Sequence, residues 1–474
     1  MEIFKVSNNY LDEYQKEVVL DDSKALLVVA GAGSGKTMTI LAKVKYLLEV
    51  KGIKSDEILL LSLTNETVYN LKEKLKILGY NNMNVYTFHK LGLNILRKEC
   101  NNINIVNEDY LSFIIDEYFL SYIFNNKYYK KKIIRYFRIN IYKDLNNSKE
   151  YVDFKVMLIS LIHLIKNNNI DINYVFEIYK NSLIDKFIWK ILLDILIIYK
   201  RELESLGLID FDDMINEAYN LIRSKNLSFN YKYIIIDEFQ DISVARYKLI
   251  KEIMDRSNAK FVAVGDDWQS IYGFTGCSVD ILINFNKYFR NSNILYLENT
   301  YRNSSELIYV ASKFILKNNF QIKKELFSSK HIIKPIKIVY SSDNDILVKI
   351  LEYINKEDVM ILGRNNYDIK DYTINNCRYL TVHKSKGLEA DEVILINLEN
   401  KLDGFPNKKK DNRFNKKLLE NKEKYNYAEE RRLFYVALTR TRNSVYLVLR
   451  KDNKSIFVKE LIKDFKDYIE YIKL

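Results

Sequence analysis

A glycine-rich octapeptide near the start of the chain constrains the fold more than any other feature. It follows the apolar run Leu26–Val29 and leads into Met38–Val44. Glycines let successive backbone N–H groups point inward around a phosphate, and the start of a helix adds roughly half a positive charge. The order of strand, turn and helix therefore predicts a phosphate-binding loop. Its residues are Ala30, Gly31, Ala32, Gly33, Ser34, Gly35, Lys36 and Thr37.

The end of this loop carries the chemistry of a nucleoside triphosphate site. The Lys36 ammonium would reach the β- and γ-phosphates, and the Thr37 hydroxyl would ligate Mg²⁺. The loop begins with Ala30, where the usual pattern has glycine, which is a mild departure. The alternative is a glycine-rich turn with a chance lysine, and the rest of the chain must decide between the two.

Length, cysteines and charge limit the classes of protein that fit. The chain has 474 residues, which predicts two to four domains. Cys100, Cys277 and Cys377 are far apart and lack metal-site spacing, which favours a reducing compartment and argues against zinc or an iron–sulfur cluster. No apolar run reaches the length of a membrane span. The net charge of +12 suits a polyanionic partner, although a biased composition would give the same excess.

Two carboxylates follow a predicted buried strand, Tyr233–Ile236. Opposite a phosphate loop, such a pair makes a site for metal-assisted hydrolysis. Asp237 would hold Mg²⁺ through water, and Glu238 would orient or deprotonate the attacking water. A further strand, Phe261–Val264, leads to Gln269, which is placed to sense the γ-phosphate.

The chain between about 98 and 206 has a different character. It is rich in Tyr, Phe, Ile and Lys and has helical periodicity without a βαβ pattern. Val156–Ile165 predicts a buried helix, whereas Tyr128–Tyr136 interleaves aromatic and basic residues. The latter segment could bind a nucleic acid backbone or form a solvated helix with an apolar underside. A second α/β region is predicted from about residue 280, beginning with a strand at Leu295–Leu297.

These stretches, taken in order from Gln15 to Arg440, resemble the helicases of superfamily 1A, the UvrD/Rep/PcrA family. The run Asp237–Asp241 is diagnostic of this subgroup. The sequences of Val264–Tyr272 and Tyr427–Arg442 are most similar to those of the helicase IV branch. The resemblance implies an α/β fold of two RecA-like P-loop motor domains with parallel sheets, which use ATP and Mg²⁺. The match covers nearly the whole chain.

The resemblance also implies a domain plan. Residues 1–97 and 207–279 would form motor domain 1A, residues 98–206 a helical insertion 1B, and residues 280–474 motor domain 2A. The interval from Arg302 to Thr381 leaves no room for the 2B domain that larger relatives insert there, and too few residues follow Arg440 for an appended nuclease. A compact motor without 2B is therefore expected.

Site residues carry over from the family position by position. Glu238, Asp237 and Gln269 would serve catalysis, with Arg302 and Arg440 as arginine fingers. Gln15 would contact adenine, Tyr301 would stack on it, and Glu389 would touch the ribose. Thr37 and Asp237 would hold the metal. Contacts with single-stranded DNA are implied for Thr64, Asn65, Thr87, Phe88, His89, Tyr272, Phe274 and His383.

Three of these assignments carry a qualification. Phe88 and His89 could instead pack beneath the loop that they follow. The turn Gly273–Gly276 keeps the family's aromatic residue as Phe274 but lacks its arginine, which weakens the expectation of a DNA contact there.

The resulting prediction is an ATP-dependent single-stranded-DNA translocase and 3′→5′ DNA helicase. Its partners would be single-stranded DNA and junctions with duplex, with a nuclease or repair protein as a further candidate, in the bacterial cytosol or nucleoid and without a membrane. One alternative is an ATPase subunit that senses DNA and regulates a separate nuclease, similar to the short helicase partner of Gabija-type phage defence. Another is a DNA-binding scaffold that does not hydrolyse ATP, against which Lys36, Glu238, Gln269 and Arg440 argue.

Overall fold

The computed structural model describes most of the chain. The described residues are 2–6, 8–99, 103–107, 109–137, 148–179, 183–341, 345–368, 377–409, 414, 418 and 423–474. Cys100 lies outside them. In these ranges, no helix is long and apolar enough to cross a lipid bilayer.

The strands and helices alternate along most of the sequence. The strands are β1 (Lys5–Val6), β2 (Asn9–Tyr10), β3 (Ala25–Ala30), β4 (Ile58–Ser62), β5 (Asn84–Thr87), β6 (Asn104–Ile105), β7 (Leu208–Ile209), β8 (Tyr233–Ile236), β9 (Lys260–Gly265), β10 (Ser292–Leu297), β11 (Ile336–Tyr340), β12 (Val359–Gly363), β13 (Arg378–Thr381), β14 (Ala390–Leu395), β15 (Thr441–Leu449) and β16 (Ile469–Ile472). The α-helices are α1 (Glu13–Leu20), α2 (Lys36–Glu49), α3 (Asn65–Ile77), α4 (Phe88–Leu96), α5 (Asp109–Tyr118), α6 (Lys127–Phe137), α7 (Lys149–Asn167), α8 (Ile172–Tyr179), α9 (Leu183–Leu206), α10 (Phe211–Lys225), α11 (Val244–Ser257), α12 (Val279–Ile283), α13 (Phe285–Tyr288), α14 (Ser305–Ile315), α15 (Ile346–Ile354), α16 (Ala428–Leu438) and α17 (Ile456–Asp464).

The first sheet has the strand order β10-β3-β9-β8-β4-β5, and every neighbouring pair is parallel. Strand β3 is buried at every position. Its alternate residues enter two different hydrophobic clusters, Leu27 and Val29 on one face and Leu26 and Val28 on the other. This alternation follows from the two-residue period of a strand, and it shows that helices cover both faces, as parallel sheets require.

The second sheet has the order β13-β12-β14-β15-β11-β16 and is also entirely parallel. Strand β12 again sends alternate side chains to two clusters, with Met360 and Leu362 on one face and Val359 and Ile361 on the other. Two such sheets confirm the predicted α/β class.

The position of β10 differs from the sequence-based expectation. The strand around Leu295 was expected in the second α/β region, but it pairs with β3 at the edge of the first sheet, with Leu295 opposite Val28. An apolar strand pattern shows burial but does not show which neighbour supplies the hydrogen bonds. The chain therefore crosses to the second sheet only after Leu297.

Helices α5 to α9 form a separate layer with its own hydrophobic cluster. The chain enters and leaves this layer through a short parallel ladder in which Asn104 faces Leu208 and Ile105 faces Ile209. The predicted buried helix at Val156–Ile165 lies within α7. These helices thus form an insertion whose two ends pair with each other.

Candidate nucleotide and nucleic-acid site

The order of strands in the first sheet brings the predicted motifs to one edge. The phosphate loop follows β3, Gln269 follows β9 and Asp237 follows β8, and these three strands are adjacent. Thr64 follows β4, and Thr87 ends β5, on the far side of β8. Because parallel strands end at the same edge of a sheet, the nucleotide candidates and the nucleic-acid candidates lie side by side along it.

The loop has the backbone of a phosphate cradle. Gly33 and Gly35 have φ angles of 72° and 79°, in the left-handed region that glycine adopts without strain. Gly35 is the N-cap of α2, and its position carries no side-chain cap, so the first N–H groups of the helix are open to a ligand. A helix N-terminus of this kind favours an anion such as a phosphate group.

Lys36 and Glu238 face each other across the loop. The Lys36 ammonium lies 3.1 Å from Oε1 and 3.2 Å from Oε2 of Glu238. Burial alone would raise the pKa of Glu238, but the charges of Lys36 and Lys386 lower it to about 2. Glu238 is therefore ionised and held by the lysine that a triphosphate would attract. Competition for Lys36 would free the carboxylate to act on water.

Asp237, one of the two predicted magnesium ligands, is buried beside Glu238. Burial, together with the charge of Glu238, raises the pKa of Asp237 to about 6. One Asp237 oxygen accepts the backbone N–H of Glu238 at 2.9 Å. A nearby divalent cation would stabilise this carboxylate in its charged form. Within the described ranges, no group of three or more His, Cys, Asp or Glu side chains could hold a metal. A magnesium ion that takes most of its ligands from phosphate and water does not need one.

Arg440 crosses the cleft between the two sheets. It follows α16, in the half of the chain that forms the second sheet, and its Nη2 donates to Oε1 of Gln269 at 3.0 Å. Its Nε donates to the carbonyl of Val436, and only 1% of the residue is exposed. Burial and the charge of Arg302 lower the pKa of Arg440 to about 9. A cation held in this way is available for an anion in the cleft.

Arg302 is engaged with Glu389, the predicted ribose contact. Arg302 Nε donates to Glu389 at 2.7 Å, and Arg442 Nη1 donates to the other carboxylate oxygen at 3.0 Å. Burial would raise the pKa of Glu389, but the charge and hydrogen bond of Arg302 lower it. Arg302 and Glu389, both predicted nucleotide contacts, are therefore paired with each other in this structure.

The predicted adenine contacts also lie beside the loop. The Gln15 amide donates to the carbonyl of Ser34 at 3.4 Å and accepts the backbone N–H of Asp12 at 3.1 Å. Tyr301 donates its backbone N–H to the carbonyl of Gly33 at 2.9 Å, and its hydroxyl donates to Asp12 at 2.5 Å. The Tyr301 ring is 62% exposed, which leaves a face for stacking.

Three predicted DNA contacts form one aromatic cluster. The Phe274 and His383 rings meet edge to face at 5.6 Å, and Tyr272 lies 6.2 Å from each. Tyr272 donates its hydroxyl to the carbonyl of His383 at 3.1 Å. Burial and the charges of Arg364 and Lys386 lower the pKa of His383 to about 4. The cluster joins the two halves of the chain. Its histidine is uncharged at neutral pH.

The remaining residues predicted to contact DNA lie at helix N-termini or in the core of the first sheet. Thr64 and Thr87 are the N-caps of α3 and α4. Asn65 is the exposed first residue of α3. Phe88 is buried in the core of the first sheet, and the His89 ring contacts Phe211 edge to face at 5.9 Å. Phe88 therefore packs beneath the edge, which was one of the two interpretations of the sequence.

Two family models match the chain. The UvrD/REP helicase N-terminal domain matches residues 11–290, and the UvrD-like helicase C-terminal domain matches residues 366–452. The first match alone spans more than half of the chain. The chain belongs to the UvrD/REP helicase family. The resemblance that the motifs predicted is confirmed.

Several curated relatives are named DNA helicases. DNA helicase IV of Escherichia coli (strain K12) is 28% identical over 487 residues, covering 97% of this chain and 71% of the relative. ATP-dependent DNA helicase Rep of Buchnera aphidicola subsp. Acyrthosiphon pisum is 30% identical over 374 residues, covering 74% and 54%. ATP-dependent DNA helicase PcrA of Staphylococcus aureus (strain Mu50 / ATCC 700699) is 27% identical over 323 residues, covering 66% and 41%. This chain spans about half the length of the Rep and PcrA relatives.

This UvrD/REP family member has further contacts across the cleft that the sequence did not single out. Lys386 donates to Asp241 and, at 2.8 Å, to the carbonyl of Gln269. Arg432 donates to the carbonyl of Ser270 at 2.6 Å. Both cations lie in stretches that carried the family resemblance, but nothing in the local pattern shows that they reach the segment after β9.

Proposed function

We propose that this chain is an ATP-dependent single-stranded-DNA translocase and 3′→5′ DNA helicase. The observation that carries the proposal is the contact of Arg440 with Gln269 next to the Lys36–Glu238 pair. Cations from both halves of the chain thus surround the loop that we propose to bind phosphate. The names of the relatives support DNA as the substrate, and the polarity rests on the resemblance alone.

The predicted phosphate-binding and catalytic side chains each have a definite part in the proposed hydrolysis. Bound ATP and Mg²⁺ would supply the phosphoanhydride and the charge that polarises it. Lys36 and the loop N–H groups would bind phosphate oxygens, while Thr37 and Asp237 would hold the ion. Glu238, released from Lys36, accepts a proton from the attacking water.

The arginines link hydrolysis to movement. Arg302 and Arg440 can neutralise phosphate charge only when the cleft is closed, so they favour closure while that charge is present. Loss of the phosphate removes this differential contact, and the cleft opens. The aromatic cluster of Tyr272, Phe274 and His383 spans the same cleft and would stack on bases, at about 1–3 kcal/mol per base. Alternating grip would then move the protein along one strand.

We propose the domain plan that was predicted from the sequence, with one boundary changed. Residues 98–206 form insertion 1B, and no 2B domain is expected between Arg302 and Thr381. The described part of that interval consists of α14, β11, α15, β12 and β13, whose three strands all belong to the second sheet. Because β10 pairs with β3, we place the boundary between 1A and 2A after Leu297 rather than at residue 280.

The test is steady-state ATP hydrolysis, with and without single-stranded DNA, by the native chain and by Glu238→Gln. Strong stimulation by DNA that the substitution abolishes is the expected result. Hydrolysis that ignores single strands but responds to duplex ends, or that needs a nuclease partner, would favour the DNA-sensing subunit of a phage-defence or repair complex. Full function of Lys36→Ala would favour the scaffold.

Polarity needs its own experiment. Two duplexes of equal sequence, one with a 3′ single-stranded tail and one with a 5′ tail, are incubated with protein, Mg²⁺ and ATP. Strand separation is then followed over time. Faster unwinding of the 3′-tailed duplex is expected, and faster unwinding of the 5′-tailed duplex would refute the proposed direction.

A further inference from the structure

Lys324 is a buried lysine in the segment that leads from β10 into the second sheet. Its side chain is 1% exposed, and the carboxylates of Asp266 and Asp267 beside it are not exposed at all. The ammonium donates to Asp266 at 2.5 Å, to Asp267 at 2.9 Å and to the carbonyl of Ala30 at 3.0 Å. It also lies 4.4 Å from the centre of the Trp268 ring. None of the steps proposed for hydrolysis assigns a part to this group.

The partners of Lys324 belong to the nucleotide site. Ala30 is the first residue of the phosphate loop, and Asp266 holds the side chain of Gln269. Gln269 donates its Nε2 to Asp266 at 2.5 Å, while its Oε1 accepts from Arg440 at 3.0 Å. A continuous row of polar contacts therefore runs from Lys324 through Asp266 and Gln269 to Arg440.

The chemistry of this row determines how the Gln269 amide is oriented. An ionised carboxylate only accepts hydrogen bonds, and a guanidinium only donates them. Asp266 therefore selects the nitrogen end of the amide, and the oxygen end is left for Arg440. The buried charge of such a carboxylate needs a compensating cation. Among the described residues, Lys324 is the cation within 4 Å of Asp266 and Asp267.

The surrounding segment fixes the lysine in place. The backbone N–H of Ile322 donates to Asp267 at 2.8 Å, and Trp268 donates its indole N–H to the carbonyl of Ile322 at 3.0 Å. Thr300 donates its hydroxyl to the carbonyl of Ala32 at 2.7 Å. The ammonium is thus held at the point where the loop, the segment after β9 and the start of the second half meet.

We propose that Lys324 is a positioning residue for ATP hydrolysis, which orients the Gln269 amide toward Arg440 through Asp266. This inference rests on the proposed function, because it requires that the chain hydrolyses ATP. A competing explanation is that Lys324 only neutralises two buried carboxylates. The two explanations predict different rates of hydrolysis when charge balance is restored without the lysine.

The first experiment compares Lys324→Met with the double variant Lys324→Met/Asp267→Asn. The double variant has the same net charge in the cluster as the native chain but lacks the ammonium at Asp266. We expect the double variant to unfold thermally close to the native chain and still to hydrolyse ATP about 10²-fold more slowly, a loss typical of misplaced catalytic groups. The KM for ATP should change little, because Lys324 contacts the loop only at the carbonyl of Ala30, whereas the loop would bind phosphate through its N–H groups. Native turnover by the double variant would overturn the proposal.

The second experiment is a double-mutant cycle with Gln269→Ala. If Lys324 acts through Gln269, Lys324→Met/Gln269→Ala is as slow as Gln269→Ala alone. Losses that multiply would show that Lys324 acts independently and would also overturn the proposal. If the native chain itself does not hydrolyse ATP, the proposed function fails instead, so the two failures are distinguishable.

Lys43 offers a matched control. Its buried ammonium donates to the carbonyls of Val18, Val19 and Asp21, at 3.3, 2.8 and 2.5 Å, and none of these three residues is a predicted nucleotide contact. Lys43→Met should lower the unfolding temperature, because three carbonyls lose their donor. Turnover per folded molecule should be unchanged. An equal loss of turnover in Lys43→Met would mean that removal of any buried lysine slows hydrolysis.

Discussion

The cleft between the two sheets and helix α6 of the insertion hold their positive charges in opposite ways. In the cleft, four cations have little exposed side-chain surface and have named acceptors: Lys36, Lys324, Lys386 and Arg440. On α6, four of the five basic side chains are exposed, and none of these four has a carboxylate partner among the described residues: Lys127, Lys130, Lys131 and Arg135. The helix carries no acidic residue.

This difference indicates two kinds of anion. Buried charges interact strongly, are little affected by salt, and recognise one group in one position. Exposed charges are screened, and their effect grows with their number, as in binding to a phosphate backbone. The cleft is therefore suited to a single triphosphate and α6 to a repeated phosphate. Substitutions on each side can break or sharpen this contrast.

Removal of Arg440 should give the largest effect. Arg440→Ala deprives the cleft of a cation that contacts Gln269, and loss of an arginine finger costs about 10³–10⁵ in rate. The rate of DNA-stimulated ATP hydrolysis by Arg440→Ala and by the native chain measures this loss. Arg450→Ala is the control, because Arg450 is largely exposed and its contact with Glu399 at 3.4 Å is a surface ion pair. A loss below tenfold for Arg440→Ala would show that the buried charge does not act on the nucleotide.

Much of the nucleotide site was predictable from the sequence, and the reason is topological. Asp237 and Gln269 follow apolar strands, and the carboxyl ends of parallel strands share an edge with the phosphate loop. Lys324 was not predictable in the same way. It is one of many lysines, and its burial depends on packing against Asp266, which is remote in the sequence. The assignment of β10 to the second α/β region was wrong for a similar reason, since an apolar strand pattern does not show which neighbouring strand it pairs with.

Neutralisation of α6 should give the next largest effect, this time on DNA binding. The expected result is weaker binding at low salt and a shallower dependence of log K on log salt, by about 0.7 for each lost contact with a single strand. ATP hydrolysis without DNA should not change. Binding is measured by fluorescence anisotropy over a salt series. The four substitutions are Lys127→Ser, Lys130→Ser, Lys131→Ser and Arg135→Ser.

The control removes the same number of positive charges elsewhere. Its four exposed lysines are Lys451, Lys459, Lys463 and Lys466. An equal fall in affinity and slope in both variants would mean that net charge alone is responsible. The other interpretation of the sequence, a solvated helix, would then hold for α6.

Phe274 should contribute a smaller amount to the same binding. Its ring is 54% exposed beside His383, and loss of one stacking platform costs about 1–3 kcal/mol per base. Phe274→Ala should weaken single-stranded DNA binding by that amount and leave the salt dependence unchanged, because no charge is removed. Tyr353→Ala, another exposed aromatic residue, is the control. A change in salt slope for Phe274→Ala would place Phe274 with the electrostatic contacts.

The smallest effect is expected at the junction between the insertion and the first sheet. His163 on α7 lies 2.5 Å from Asp212 on α10. The hydrogen bond with Asp212 raises the pKa of His163. Because the folded pKa is raised, the pair contributes stability that is fully present below the unfolded value, about 6.5, and is lost as the pH rises through the folded value. The contribution is small, since half of the His163 side chain is exposed.

Thermal unfolding at pH 5.5 and pH 8.5 measures this contribution. The native chain should lose more stability between these two pH values than His163→Gln, which has no proton to release. Asp212→Asn should resemble His163→Gln, because it removes the partner that holds the proton. If all three proteins lose stability equally, the ion pair does not join α7 to α10. The attachment of the insertion would then depend on other contacts there, such as that of Lys166 with Asp213 at 2.7 Å.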